Sequence, residues 1–331
     1  MSKSGAMNLI TDVDGLRVGH AVDEKALTGT TVILADNPAI AAVAVAGGGP
    51  GTRETDLLAA DTMVDKIDAI VLSGGSAYGL AAADGVAADL GHKGRGFGMV
   101  DVSGVPKTPI VPAAILYDLA NGGDKDWGNT PPYQQLGREA LKASRRAFDL
   151  GAVGAGIGAR AGQHRGGLGS ASLVTDDGFS IGALAAVNSF GSVFMPSTDV
   201  FWAWPFEHGD EFGGARPPVD YTADAEDWGA AKKNPQPGQN TTIACIATDA
   251  ALSAGQAKRV AQMALSGFSR SIRPVFAPFD GDAVFVLSTG KVALRQPEAL
   301  TLTRLGELAA NTLARSIARG VYEAGNAIVK S

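Results

Sequence analysis

The stretch GQNTTIACIATDA, residues 238–250, joins a polar loop to an apolar strand with two threonines at the seam. Before the seam, KKNPQPGQ (232–239) is charged and rich in Pro and Gly, which predicts exposed, irregular backbone. After it, Thr242-Ile243-Ala244-Cys245-Ile246-Ala247 is a short apolar run bounded by turn formers, the pattern of a strand covered on both faces. The seam is where a loop that chains tolerate being cut meets a strand that must stay buried.

Working outward, strand-like runs occur at 31–35, 40–46 and 69–72. The last two lead into Gly-rich turns, GGGPGTRE (47–54) and SGGSAYG (73–79), and helical patterns are read after both, at about 54–67 and 77–90. The runs 168–174 and 179–190 are joined by Thr175-Asp176-Asp177-Gly178, whose Asp-Gly step predicts a hairpin. Residues 195–240 lack periodicity and hold six prolines, an unusual length of loop for a compact domain unless it is functional or disordered. A helix with a capping box at Ser253 and Gln256, a strand at 283–288 and a C-terminal helix from about Pro297 complete an α/β chain.

Composition narrows the function. The 331 residues are 45% hydrophobic and 19% charged with 44 Gly, enough for a large core and unlike a disordered or fibrous chain. A net charge of −6 without a basic cluster argues against nucleic-acid or acidic-membrane partners. No signal core or membrane-length apolar run is seen, so a cytoplasmic location is expected. Cys245 is read as a packing residue, because no cation adjoins it to form a thiolate. His20, His92, His164 and His208 are scattered, no metal motif occurs, and no cofactor is expected. The Gly-rich turns match neither a dinucleotide nor a P-loop spacing and are read as tight turns or backbone close to a cleft.

The seam offers its own chemistry. If the Thr241 hydroxyl attacked the Asn240 carbonyl, an ester would form, and its hydrolysis would free Thr241 as a new N-terminus. An α-amine titrates near 8, so it can act as base for the neighbouring hydroxyl, a known form of covalent catalysis. The plainer alternative is that Asn240 and Thr241 only shape a loop. Asp280 and Asp282 stand two apart before a strand, where they would orient such a terminus or merely form a polar turn. Asn188, inside an apolar run, and Tyr117 each read either as a satisfied buried group or as a donor to an oxyanion.

The segments GGGPGTRETDLL (47–58), SGGSAYGLAAADGV (73–86), PIVPAAILYDL (109–119), GLGSAS (167–172) and NTTIACIATDA (240–250), in this order, resemble the self-cleaving L-aminopeptidase/D-esterase family, which includes β-aminopeptidases and nylon-oligomer hydrolases. The resemblance spans nearly the whole chain. It implies a four-layer αββα sandwich like that of N-terminal-nucleophile hydrolases, cut into a 1–240 large chain and a 241–331 small chain. It further implies Thr241 as nucleophile, Asp280 and Asp282 as its orienting pair, and Asn188 and Tyr117 as oxyanion-side donors. Gln163 departs from the nylon-oligomer hydrolases, which carry Lys there; Arg165 is the nearest basic residue. The expected activity is hydrolysis of short amides with a free amino end, such as β- or D-residue peptides or 6-aminohexanoate oligomers, by a tetramer or larger homo-oligomer. Two alternatives stand beside it: acyl transfer of the ornithine acetyltransferase type, and an uncut, non-enzymatic binding protein.

Overall fold

The structure is a computed structural model and describes residues 2–100, 102–233 and 240–326. In chain order its elements are β1 (Leu16–Asp23), β2 (Thr28–Val45), β3 (Thr52–Arg53), β4 (Lys66–Ser73), α1 (Ala82–His92), β5 (Ala113–Ile115), α2 (Tyr133–Lys142), β6 (Arg160–Ala161), β7 (His164–Arg165), β8 (Gly167–Val174), β9 (Ser180–Asn188), β10 (Thr241–Ala250), α3 (Ala254–Ser269), β11 (Ala283–Val292) and α4 (Glu298–Asn326). Among the described residues, nine strands share one hydrogen-bonded sheet, in the order β3-β5-β4-β2-β11-β10-β9-β8, with β1 also paired to β2.

That sheet doubles over on itself along β2. The odd residues Ile33, Ala35, Ala39, Ala41 and Val43 all face one interior, shared with Leu184, Ile243, Cys245, Phe285 and Leu287 from the opposite half. The even residues change cover. Val32 and Leu34 lie under α1 and α2, whereas Ala42 and Ala44 lie under α3 and α4. The layers are therefore helices, sheet, sheet, helices: the αββα sandwich expected. Alternation with period two makes the strand inner-facing throughout, and the ladder register shifts between Leu34 and Ala39 to let it bend.

Several elements differ from the sequence reading. The runs 31–35 and 40–46 are one strand, since Asp36, Asn37 and Pro38 bulge outward into solvent and Pro38 needs no ladder N–H there. The helix read at 54–67 is absent; a single 3-10 turn (Asp56–Leu58), irregular backbone and the start of β4 occupy it, with Met63 76% exposed instead of packed. Elements β1 and α2 were not foreseen. The hairpin forms as β8 and β9, and Ser253 caps α3 with Gln256 in the expected box. The stretch after residue 195 is irregular through 233 apart from one short 3-10 turn; 234–239, part of the polar loop, lie outside the described residues. Cys245 is fully buried, and burial pushes its thiol up.

Candidate active site

Three strand ends meet at the seam because of how β10 is paired. β9 runs antiparallel to β10 and brings its last residue, Asn188, opposite Thr241. β11 runs parallel to β10, so the segment entering β11 lies beside the segment entering β10. Asn240 accordingly bridges Asp280, and Thr242 sits beside Asp282. Asn188, Asn240, Thr241, Asp280 and Asp282 are each 2% exposed or less.

At the centre, the Thr241 hydroxyl donates to the Asn240 carbonyl oxygen, and the Gly281 N–H donates to the same oxygen at 3.0 Å. Asp282 accepts from the Thr242 N–H at 2.7 Å and from the Phe276 N–H at 3.3 Å, and Asp280 accepts from the Ala277 N–H at 3.1 Å. Burial raises both carboxyls above the usual range, and for Asp282 the neighbouring Asp280 charge adds to it. The side-chain amide of Asn240 is buried without a partner among the described residues.

Asn188 holds the far side. Its amide donates to the Tyr117 main-chain oxygen at 3.0 Å, and its side-chain oxygen accepts from the Arg160 N–H at 2.9 Å. Tyr117 enters on the loop after β5 and is half-buried. With Asp118, Asn121, Arg160, Lys232 and Asn240, these residues line a cavity of about 140 Å³. The structure thus gathers Asn188, Tyr117 and Asn240 around one cavity, while Thr241, Asp280 and Asp282 are buried beside Asn240 and do not line it.

Lys232 was not singled out in the sequence. Its ammonium donates to the Asn188 main-chain oxygen at 3.3 Å, and burial, with Arg160 nearby, brings it down to about 7 against the pull of Asp280. It also borders an apolar cavity of about 420 Å³ walled by Phe190, Trp228, Pro274, Val275 and Phe279. Gln163 and Arg165 stand elsewhere: Gln163 donates to the Ala231 main-chain oxygen in a separate polar cavity, and Arg165 is exposed on β7. His20 is half-buried against Phe148, and loss of solvent lowers it to about 4; it borders another cavity.

Comparisons with known proteins bear on the family and the fold. The model of peptidase family S58 matches residues 8–330. An uncharacterized aminopeptidase of Mycobacterium tuberculosis is 42% identical over 335 residues, covering 96% of this chain and 94% of the relative. A 6-aminohexanoate-oligomer endohydrolase of Kocuria sp. is 28% identical over 335 residues, covering 94% of this chain and 85% of the relative. The fold is similar to that of the L-aminopeptidase D-Ala-esterase/amidase from Ochrobactrum anthropi, presented as a variant of the Ntn hydrolase fold, with a TM-score of 0.68 at 20% identity over 98% of this chain and 88% of that one. The chain belongs to peptidase family S58 and is a hydrolase of peptide or other amide bonds.

Proposed function

We propose that this chain cuts itself between Asn240 and Thr241 and then hydrolyses short amides with Thr241 as an N-terminal nucleophile. The observation that most supports this reading is the Thr241 hydroxyl set on the carbonyl of its own preceding peptide, at the point where β9, β10 and the approach to β11 converge. The uncut chain has no amine at 241, only a peptide nitrogen. Once the bond breaks, that nitrogen becomes an α-amine titrating near 8, able to take the hydroxyl proton when a substrate carbonyl is attacked.

Asp282 holds the backbone of the new terminus through the Thr242 N–H, and Asp280, whose carboxylate accepts from the Ala277 N–H, is assigned to orient the terminus with it. Asn188 and Tyr117, at the cavity, are assigned to the substrate oxyanion. The substrate class carried forward is short amides with a free amino end, including β- or D-residue peptides and 6-aminohexanoate oligomers. Family membership favours hydrolysis over acyl transfer or an uncut scaffold.

Intact-mass analysis with N-terminal sequencing tests the cut. The expected result is a small chain beginning Thr-Thr-Ile-Ala-Cys-Ile, with both cutting and turnover lost in Thr241→Ala. An active preparation that remains a single unbroken chain overturns the reading.

A further inference from the structure

The Gly-rich turn at 47–49 resembles no phosphate cradle in spacing, and its N–H groups are already spent. Gly49 donates to the Asp280 carbonyl at 2.7 Å, Gly48 to Ala277 at 3.3 Å and Gly47 to Asp282 at 3.2 Å, while the preceding Ala46 donates to Asp282 at 2.9 Å. Four successive amides thus grip one segment, 277–282. Only glycine permits this approach: a Cβ on Gly47 would stand 2.4 Å from the Asp280 oxygen, and one on Gly48 2.4 Å from the Pro278 oxygen. The gripped segment carries Gly281, whose N–H reaches the Asn240 carbonyl oxygen at 3.0 Å. A Cβ on Gly281 would lie 2.7 Å from the Thr241 hydroxyl oxygen.

We propose that the glycine run 47–49 is a backbone clamp that aims the Gly281 N–H at the seam, and that this N–H is the oxyanion donor for self-cleavage. The proposal rests on the self-cleaving reading above and adds a device that no side chain provides. As the Thr241 oxygen bonds to the Asn240 carbonyl carbon, the carbonyl π pair moves onto oxygen and the Gly281 N–H receives the charge. The hydroxyl proton is transferred to the departing Thr241 nitrogen, the C–N bond breaks, and an ester with a free amine results. Water then splits the ester, leaving the Asn240 carboxylate and the restored Thr241 hydroxyl. A donor about 3 Å from the atom that gains charge is the geometry that stabilises such intermediates. Gly281 is the catalytic residue here, and Gly47 and Gly48 are positioning residues.

The test follows cutting by intact mass in four full-length chains: the parent, Thr241→Ala, Gly47→Ala, and a chain with glycolic acid in place of glycine at 281, made by in vitro translation, which swaps the N–H for an ester oxygen. Losing one such donor is expected to slow cutting about 10²–10³-fold. Gly47→Ala is expected to slow it at least about 10-fold, in line with the cost of a small misplacement. Both chains should still unfold in one cooperative step, at a urea midpoint below that of uncut Thr241→Ala, since Gly47→Ala must displace the Asp280 backbone and the ester removes one buried donor. The slowing should be equal at every pH, because an N–H donor does not titrate. Parent-rate cutting by the ester chain overturns the proposal while leaving the nucleophile intact. Cutting by Thr241→Ala overturns instead the reading on which it rests. Should the ester chain fail to fold, a natively folded Gly47→Ala decides, and its cutting at the parent rate is the overturning result.

Discussion

Lys232 is an amine in a place that suits a neutral group. Unfolded, it titrates near 10.5; folded, burial brings it to about 7. Between those values the unfolded chain binds a proton that the folded chain does not, so this group makes stability rise with pH across the window, and its penalty is full below about pH 7. In the uncut Thr241→Ala background, Lys232→Met is therefore expected to be more stable than its parent below about pH 7, the advantage fading by about pH 10. Urea midpoints across pH check this, and a constant difference refutes it. Lys232 shows where sequence falls short at this scale. Thr241, Asp280, Asp282, Asn188 and Tyr117 could be nominated because each letter carries chemistry in a suggestive setting. Lys232 has the same letter as its exposed neighbour Lys233, and only the fold separates them. Gly281 contributes a main-chain amide, which every residue but proline has, so no letter marks it.

Elements were legible where period and punctuation agreed. The Asp-Gly hairpin, the capped α3 and the apolar β10 follow from local rules. The two halves of β2 were divided because Asp36-Asn37-Pro38 is a turn signature, and sheet pairing on both sides overrode it. The 54–67 segment has helical spacing of apolar residues, but Leu58 is buried from a 3-10 turn and Ile67 from β4, while Met63 faces solvent. The contact of β8 with α4 shows tertiary packing at its tightest. A Cβ on Gly169 would stand 1.9 Å from the Ser316 carbonyl oxygen and 2.4 Å from the Gly320 nitrogen, so strand and helix would have to part. Gly169→Ala is expected to cost about 3 kcal/mol, the upper end for overpacking, measured by urea unfolding of uncut chains. An unchanged midpoint would show that α4 can yield.

For the whole molecule, the position of the proposed cut in the sheet matters most. Residues 241–331 supply β10 and β11, which sit between β9 and β2, both from the other side of the seam. The same segment also supplies α3 and α4, covering one face of the sandwich. The two chains are therefore expected to co-elute in gel filtration after cutting and to separate only in denaturant; free small chain in native buffer would contradict this arrangement. The sandwich itself was legible only through the resemblance of ordered motifs, because alternation within single strands does not say which strands lie edge to edge. Continuity of β2 across the fold has a further consequence. A strand paired to β1 and β4 at one end and to β11 at the other leaves the two half-sheets no hinge. A ligand on its way to Thr241 cannot enter by prising the sandwich open, since that would tear the ladder along β2. Traffic must pass the rim instead, between the turn at 117–121 and the segment bearing Trp228 and Lys232, so exchange rates at the proposed nucleophile will be governed by those loops.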